Sequence, residues 1–212
     1  MRKIRILIIS AVVAMIPQMM VAQKISLGSC TTHDNGLYKG EMVGGKPNGK
    51  GNTVFKNGDT YEGDYVEGSR TGEGVFTFAN GDKYIGHFLE GDKSGQGTLV
   101  WSNGDTYVGQ WKADKQNGKG LLKKKNGDTF DGTFLNGQLD GEITIRFADG
   151  SRFRGTYKNG RRNGKAIEES RDRKRFEGSY LDDRRDGEFV EKDSNGKITA
   201  KGHYINGRRV AD

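Results

Sequence analysis

Three histidines, one cysteine and a ladder of aspartates are the residues of this 212-residue chain whose types could carry chemistry. His33, His87 and His203 are scattered, and none stands in a His-Glu-x-x-His, Cys-x-x-Cys or Gly-x-Ser-x-Gly context. Asp59, Asp82, Asp105 and Asp128 each close an Asn-Gly-Asp triplet, which raises the question of a calcium ladder. Calcium needs six or more oxygens converging on one point. One carboxylate per unit gives instead a row about 9–10 Å apart if two strands separate successive turns. A turn-stabilising role for the Asn-Gly-Asp aspartate fits better. The expectation is a protein with no catalytic residues, no cofactor and no metal site.

One basic run stands out, Arg171-Asp172-Arg173-Lys174-Arg175. Arg171, Arg173, Lys174 and Arg175 are therefore candidates to hold an anionic lipid headgroup or envelope polymer. Asp172 inside the run, with Glu177, Asp182 and Asp183 after it, favours an ordinary solvated surface.

The elements that must position these residues announce themselves by repetition. Asn57 to Tyr65 reads NGDTYEGDY, and it returns as NGDKYIGHF, NGDTYVGQW and NGDTFDGTF. The opening aromatics are Tyr38, Tyr61, Tyr84, Tyr107, Phe130, Phe153 and Phe176, with 23 residues between each and the next. A partial eighth unit starts near residue 200 and holds Gly202 and Tyr204. Fixed-period self-similarity means a repeat array.

Each unit opens aromatic-x-Gly-x-aromatic, so period-two alternation puts both rings and the intervening Gly on one face of a strand. The bare Gly lets a neighbouring strand's ring lie across the backbone. Gly-x-Gly follows, then a short apolar strand such as Val75 to Phe78. The Asn-Gly closing each unit reads as a type I′ turn. The predicted fold is all-β: an elongated, twisted, single-layer antiparallel sheet of tandem β-hairpins spanning residues 38–212. With 34 glycines and 32% apolar residues, the composition suits many tight turns better than one compact core.

The pattern Tyr-x-Gly-x-[Trp/Tyr/Phe]-x-x-Gly-x-x-x-Gly-x-Gly at a 23-residue period resembles the MORN repeat family. The resemblance implies the same elongated sheet and a role in protein interaction or dimerisation, with enzymatic activity confined to separate domains. The later units depart from the pattern. Ile143, Ala166 and Phe189 replace the second Gly, Arg173 replaces the turn Gly, and Glu168 and Ser170 replace apolar strand residues. Hairpins six and seven are expected to be less regular, or to cap the array.

A single-layer sheet leaves its apolar side without cover from the same chain. The rings of the most regular units, Tyr84, Phe88, Trp101, Tyr107 and Trp111, are the expected contacts for a protein partner or a second copy. The opposite face samples as polar at Lys39, Glu41, Glu62, Asp64, Arg154 and Thr156. The alternative is peripheral attachment to an anionic membrane or polymer through the basic C-terminal third. Residues 151–212 hold 17 basic and 11 acidic side chains, 17 − 11 = +6, whereas residues 23–150 hold 15 and 17, or −2.

The start of the chain reads as a signal peptide, residues 1–22: a basic MRKIR, the apolar run Ile6 to Ile16, then Pro17. That run is short of the roughly 20 residues a bilayer span needs, so export is favoured over an anchor. Residues 23–37 read as a linker. Cys30 excludes an internal disulfide, and Lys24 in the run before it argues against lipoprotein anchoring there. An exported chain has no expected nucleic-acid partner.

Overall fold

The computed structural model describes residues 24–210, which are strand and turn with no helix among them. The signal-peptide reading lies outside the described residues. The first strands are β1 (Ser26–Thr31), β2 (Leu37–Val43), β3 (Lys46–Val54), β4 (Thr60–Val66), β5 (Ser69–Thr77) and β6 (Lys83–Leu89). The middle comprises β7 (Asp92–Val100), β8 (Thr106–Lys112), β9 (Lys115–Lys123), β10 (Thr129–Leu135), β11 (Gln138–Arg146) and β12 (Arg152–Lys158). The last six are β13 (Arg161–Glu169), β14 (Arg175–Leu181), β15 (Arg184–Arg185), β16 (Gly187–Lys192), β17 (Ile198–Ile205) and β18 (Arg208–Val210). Each strand pairs antiparallel with its successor, except that β15 and β16 both face β14, with Asp186 between them. The result is an open meander of hairpins, not closed into a barrel.

Two kinds of turn alternate, and they fall the other way round from the expectation. The type I′ turns lie inside each unit, at Glu67-Gly68, Glu90-Gly91 and Asn136-Gly137, where both central residues have positive φ. At Asn-Gly-Asp only the Gly does: Gly58 has φ 91°, its N–H donates to Phe55 O at 3.0 Å, and Phe55 N–H donates to Asp59 O at 2.9 Å. That is a three-residue hairpin loop with a left-handed Gly. The Asn57 carboxamide oxygen accepts the Asp59 N–H at 3.1 Å. The Asp59 carboxylate then accepts the N–H of Ala79 in the next unit's turn at 2.8 Å. Asp82, Asp105 and Asp128 bind Ser102, Lys125 and Ala148 N–H in the same way. The aspartate ladder thus stitches one row of turns along the array.

In the sixth unit Arg173 occupies the glycine position with φ 62°. A side chain there costs on the order of 1 kcal/mol, so Arg173→Gly is expected to stabilise the chain by about that amount, read as a raised thermal midpoint. Of the two hairpins expected to be less regular, six keeps the register of the earlier units, and the interruption comes in seven, at Asp186.

Residues 23–37, expected to be a linker, contain β1, whose register with β2 runs from Ser26↔Met42 to Thr31↔Leu37. The physical reason is local. Met42 stands where other units place a closing ring, and its sulfur occupies the space a Cβ on Gly28 would need. Cys30, half-buried opposite Tyr38, carries a free thiol within this strand.

Candidate binding faces

The opening tyrosines are the first positional element. Tyr61 lies flat along its own strand over Gly63 and reaches Gly74 on β5, where a Cβ would come within 2.5 Å of its ring. Over the Gly between the two aromatics the ring therefore belongs to the same strand, while over the second Gly of Gly-x-Gly it comes from the neighbouring strand. The hydroxyl donates to the backbone oxygen three residues on: Glu41 O at 2.6 Å from Tyr38, Asp64 O at 3.0 Å from Tyr61, His87 O at 3.0 Å from Tyr84 and Gln110 O at 3.1 Å from Tyr107.

Closing rings wedge edge-on between successive openers. Phe88 sits 5.0 Å from Tyr61 and 5.1 Å from Tyr84, and Trp111 sits 5.2 Å from Tyr84 and 5.3 Å from Tyr107. Edge-to-face contacts of this kind add about 0.5–1.5 kcal/mol each beyond area burial. The chain of rings runs unbroken from Tyr38 to Phe134. A second cluster, from Ile143 to Phe189, joins the first only through the partly buried Leu139, which packs against both.

The expected contact rings are consequently core. Tyr84 and Tyr107 are 0% exposed, Phe88 2% and Trp111 6%. Mutual stacking hides them without a second layer, so of the five only Trp101 remains partly open, beside half-buried Phe55, Phe76 and Phe78. Cations cover part of that remainder: the Arg70 guanidinium lies 5.3 Å from the Phe76 ring centre, and Lys93 Nζ 5.6 Å from Phe78.

Burial pushes the Tyr38 and Tyr107 hydroxyls up to about 12, and those of Tyr61 and Tyr84 higher still. An unfolded tyrosine ionises near about 10. The fold thus holds the neutral form more tightly than the unfolded chain does. Their contribution to stability is fully present below about pH 10 and is lost as the pH rises through about 12. Alkaline titration is expected to show tyrosinate absorbance appearing together with loss of β-sheet circular dichroism. Ionisation of these four tyrosines at about pH 10 with the sheet intact would contradict this packing.

The basic run forms the β13–β14 turn and the start of β14. Lys174 pairs with Asp172 at 2.7 Å and Arg175 with Glu177 at 2.9 Å. The Lys174 and Ser170 hydrogen bonds hold the Asp172 carboxyl down at about 2. Two of its four cations are thus neutralised in place. Glu168, on the aromatic face, accepts from Tyr180 and from Arg185 at 2.6 Å, with Arg162 3.6 Å away. That inward carboxylate is satisfied by neighbours the repeat pattern does not specify.

The opposite face, polar at Lys39, Glu62 and Arg154, is apolar in its middle. Direct cross-strand pairing lines up Val75, Ile85, Thr98, Val108 and Leu121 across β5 to β9. Ile85 is 46% exposed, Val108 50% and Leu121 41%. Val75 and Ile85 also line a groove of about 760 Å³ with Lys39, Asn52, Glu62 and Glu73. A second groove, of about 900 Å³, lies on the same face over β11 to β16.

An open array of stitched hairpins, with one face sealed by its own rings and the other grooved, defines a β-meander repeat scaffold. The MORN repeat profile matches residues 38–60, 61–83, 84–106, 107–129, 130–152 and 153–175, and the chain belongs to the MORN repeat family. No curated protein matches it in sequence. Among solved structures it is similar to the SAS-4 TCP domain of Drosophila melanogaster, solved in complex with a proline-rich motif of Ana2. That likeness has 14% identity over 84% of this chain and 90% of that one, at TM-score 0.46. The TCP10 domain of CPAP from Danio rerio is similar at 15% identity over 84% and 99%, at TM-score 0.26.

Proposed function

We propose that this chain is a non-catalytic, exported repeat scaffold that binds a protein partner along the outward face of its sheet. The observation that carries this reading is the outward row from Val75 to Leu121, five directly opposed residues with no charge among them, of which Ile85, Val108 and Leu121 are exposed and Val75 and Thr98 half-buried. Neighbouring residues of the same row are polar or charged, Glu62 before it and Asp131 after it. Exposed apolar side chains such as Leu37, Leu89 and Leu181 occur elsewhere on the sheet, but here five uncharged residues stand directly side by side across five strands, which fits a docking surface. The basic start and apolar run of residues 1–16 support export. The non-catalytic reading is supported by the separation of His33, His87 and His203, which lie before β2, on β6 and on β17.

The test is affinity capture with the wild type beside an Ile85→Glu, Val108→Glu double variant, with light scattering on both. Both side chains face solvent, so folding is expected to be unchanged within about 0.5 kcal/mol. A partner lost with the double variant and kept by Arg171→Gln, Arg173→Gln supports the outward row. A wild-type dimer that the double variant converts to monomer makes the partner a second copy. Identical capture and identical mass would sink the proposal. A second reading, attachment to an anionic surface through the C-terminal third, rests on the +6 balance of residues 151–212. It predicts binding that falls steeply with salt.

A further inference from the structure

We infer that Arg146, Arg152 and Arg154 form a binding site for the phosphate group of a soluble phosphate ester. The β11–β12 hairpin sets Arg146 directly opposite Arg152, with Arg154 two residues further along the same face and opposite Thr144. All three are exposed, and no ion pair among the described residues uses any of them. Like charges directly across a strand pair destabilise it. At the equivalent position the other hairpin mouths avoid the conflict, with Val100 facing Thr106, Lys123 facing Thr129 and Glu169 facing Arg175. Like charges also oppose at Lys112↔Lys115 and Lys158↔Arg161 beside the type I′ turns, but in the other row of mouths the β11–β12 pair alone carries them, and only there does a third unpaired arginine stand two residues further along the same face. Charge kept there at a cost to the fold fits a use outside it.

A second observation falls at the same place. Thr129, directly opposite Arg146 on the other side, keeps its hydroxyl buried with no hydrogen-bond partner, alone among the described side-chain oxygens and nitrogens. Thr129 itself is only half-buried, so a turn of its side chain about χ1 would bring the hydroxyl to the surface, where an anion on this row supplies the acceptor it lacks. Acidic groups frame the site: Glu169 lies opposite Arg152, and Asp131 and Glu142 lie near Thr144. They select a compact, highly charged group over a diffuse one, because only the former outweighs them. Guanidinium forks match phosphate oxygens two at a time.

Geometry favours a soluble ligand over a membrane surface. Arg154 also lines the groove of about 900 Å³, together with Thr144, Thr156 and Ile167. That volume is in the range that holds a small organic molecule. A phosphate on the arginines would place the rest of its ester in this concavity, which a flat bilayer cannot enter. The site is independent of the apolar row proposed for a protein partner.

The test is calorimetric titration of the purified chain with pyrophosphate at low salt, with phosphatidylglycerol vesicles as a separate arm. Pyrophosphate binding is expected, weakened about tenfold or more in Arg146→Gln, Arg152→Gln and unchanged in Arg171→Gln, Arg173→Gln. Removing the opposed charges relieves repulsion, so the thermal midpoint of the first variant is expected to stay or rise, which excludes misfolding as the cause. Absence of pyrophosphate binding overturns the inference, as does equal loss in both variants. Vesicle binding without pyrophosphate binding also overturns it, in favour of an anionic surface.

Discussion

Gly97→Ala is expected to destabilise the chain by about 3 kcal/mol, although it adds a single methyl to an unstrained backbone position. The Cβ would arrive 2.5 Å from Cζ and 2.6 Å from Cε2 of Tyr84, a ring that is 0% exposed and tied by its hydroxyl to His87 O at 3.0 Å. The ring cannot slide without giving up that bond and its contacts with Phe88 and Trp111. Tyr84→Phe alone should cost about 1 kcal/mol, the worth of one hydrogen bond. Placed together, the two substitutions should cost less than their sum, because an untethered Phe ring can shift off the new methyl. Denaturant unfolding of the four chains measures this coupling. Strict additivity would show that the hydroxyl does not hold the ring over the glycine.

The chain itself already contains the result of that experiment. Units opened by Tyr38, Tyr61, Tyr84 and Tyr107 carry Gly51, Gly74, Gly97 and Gly120 beneath the ring. Units opened by Phe130, Phe153 and Phe176 carry Ile143, Ala166 and Phe189 there, and those side chains are buried. Reading the repeats as columns makes the coupling legible: hydroxyl with glycine, or no hydroxyl with a side chain. The departures of the later units are therefore a second packing solution. The separation of the two hydrophobic clusters falls close to where one solution gives way to the other.

Other features were legible to different depths. Period and alternation give the hairpins and the inward face, since they depend on spacing alone. The turn types did not follow, because Asn-Gly suits both a type I′ turn and a loop with one left-handed Gly; Asp59 binding Ala79 N–H across units decides it. The outward row is hard to see in the sequence because the column that holds Ile85 and Val108 also holds Lys39, Glu62 and Arg154, and so reads as polar on the whole. Arg146 and Arg152 are separated by a turn and look unrelated until the β11–β12 register sets them face to face. β1 has no aromatic repeat to announce it, and its pairing depends on Met42 filling a ring's place.

The two tryptophans, alike on paper, are expected to behave as opposites. Trp111 is 6% exposed, stacks edge-on with Tyr84 and Tyr107, and donates its indole N–H to Gly97 O at 3.2 Å. Trp111→Ala removes two ring contacts and opens a void in the row, at a cost of about 4 kcal/mol. Trp101 borders the row and is half-open, so Trp101→Ala should cost roughly 1 kcal/mol. The form of unfolding should differ too. In a repeat array each unit leans only on its neighbours, and the ring chain ends at Phe134, with Leu139 alone packed against both it and the cluster that runs from Ile143 to Phe189. Trp111→Ala should therefore split the melt by circular dichroism, with the first four units lost early and the Phe-opened units persisting. A single cooperative transition, shifted as a whole, would mean that the junction at β10 and β11 transmits stability across both clusters. For any binding study the consequence is direct. Binding lost in Trp111→Ala reports an unfolded array, whereas Ile85 and Val108 can be changed without touching the core.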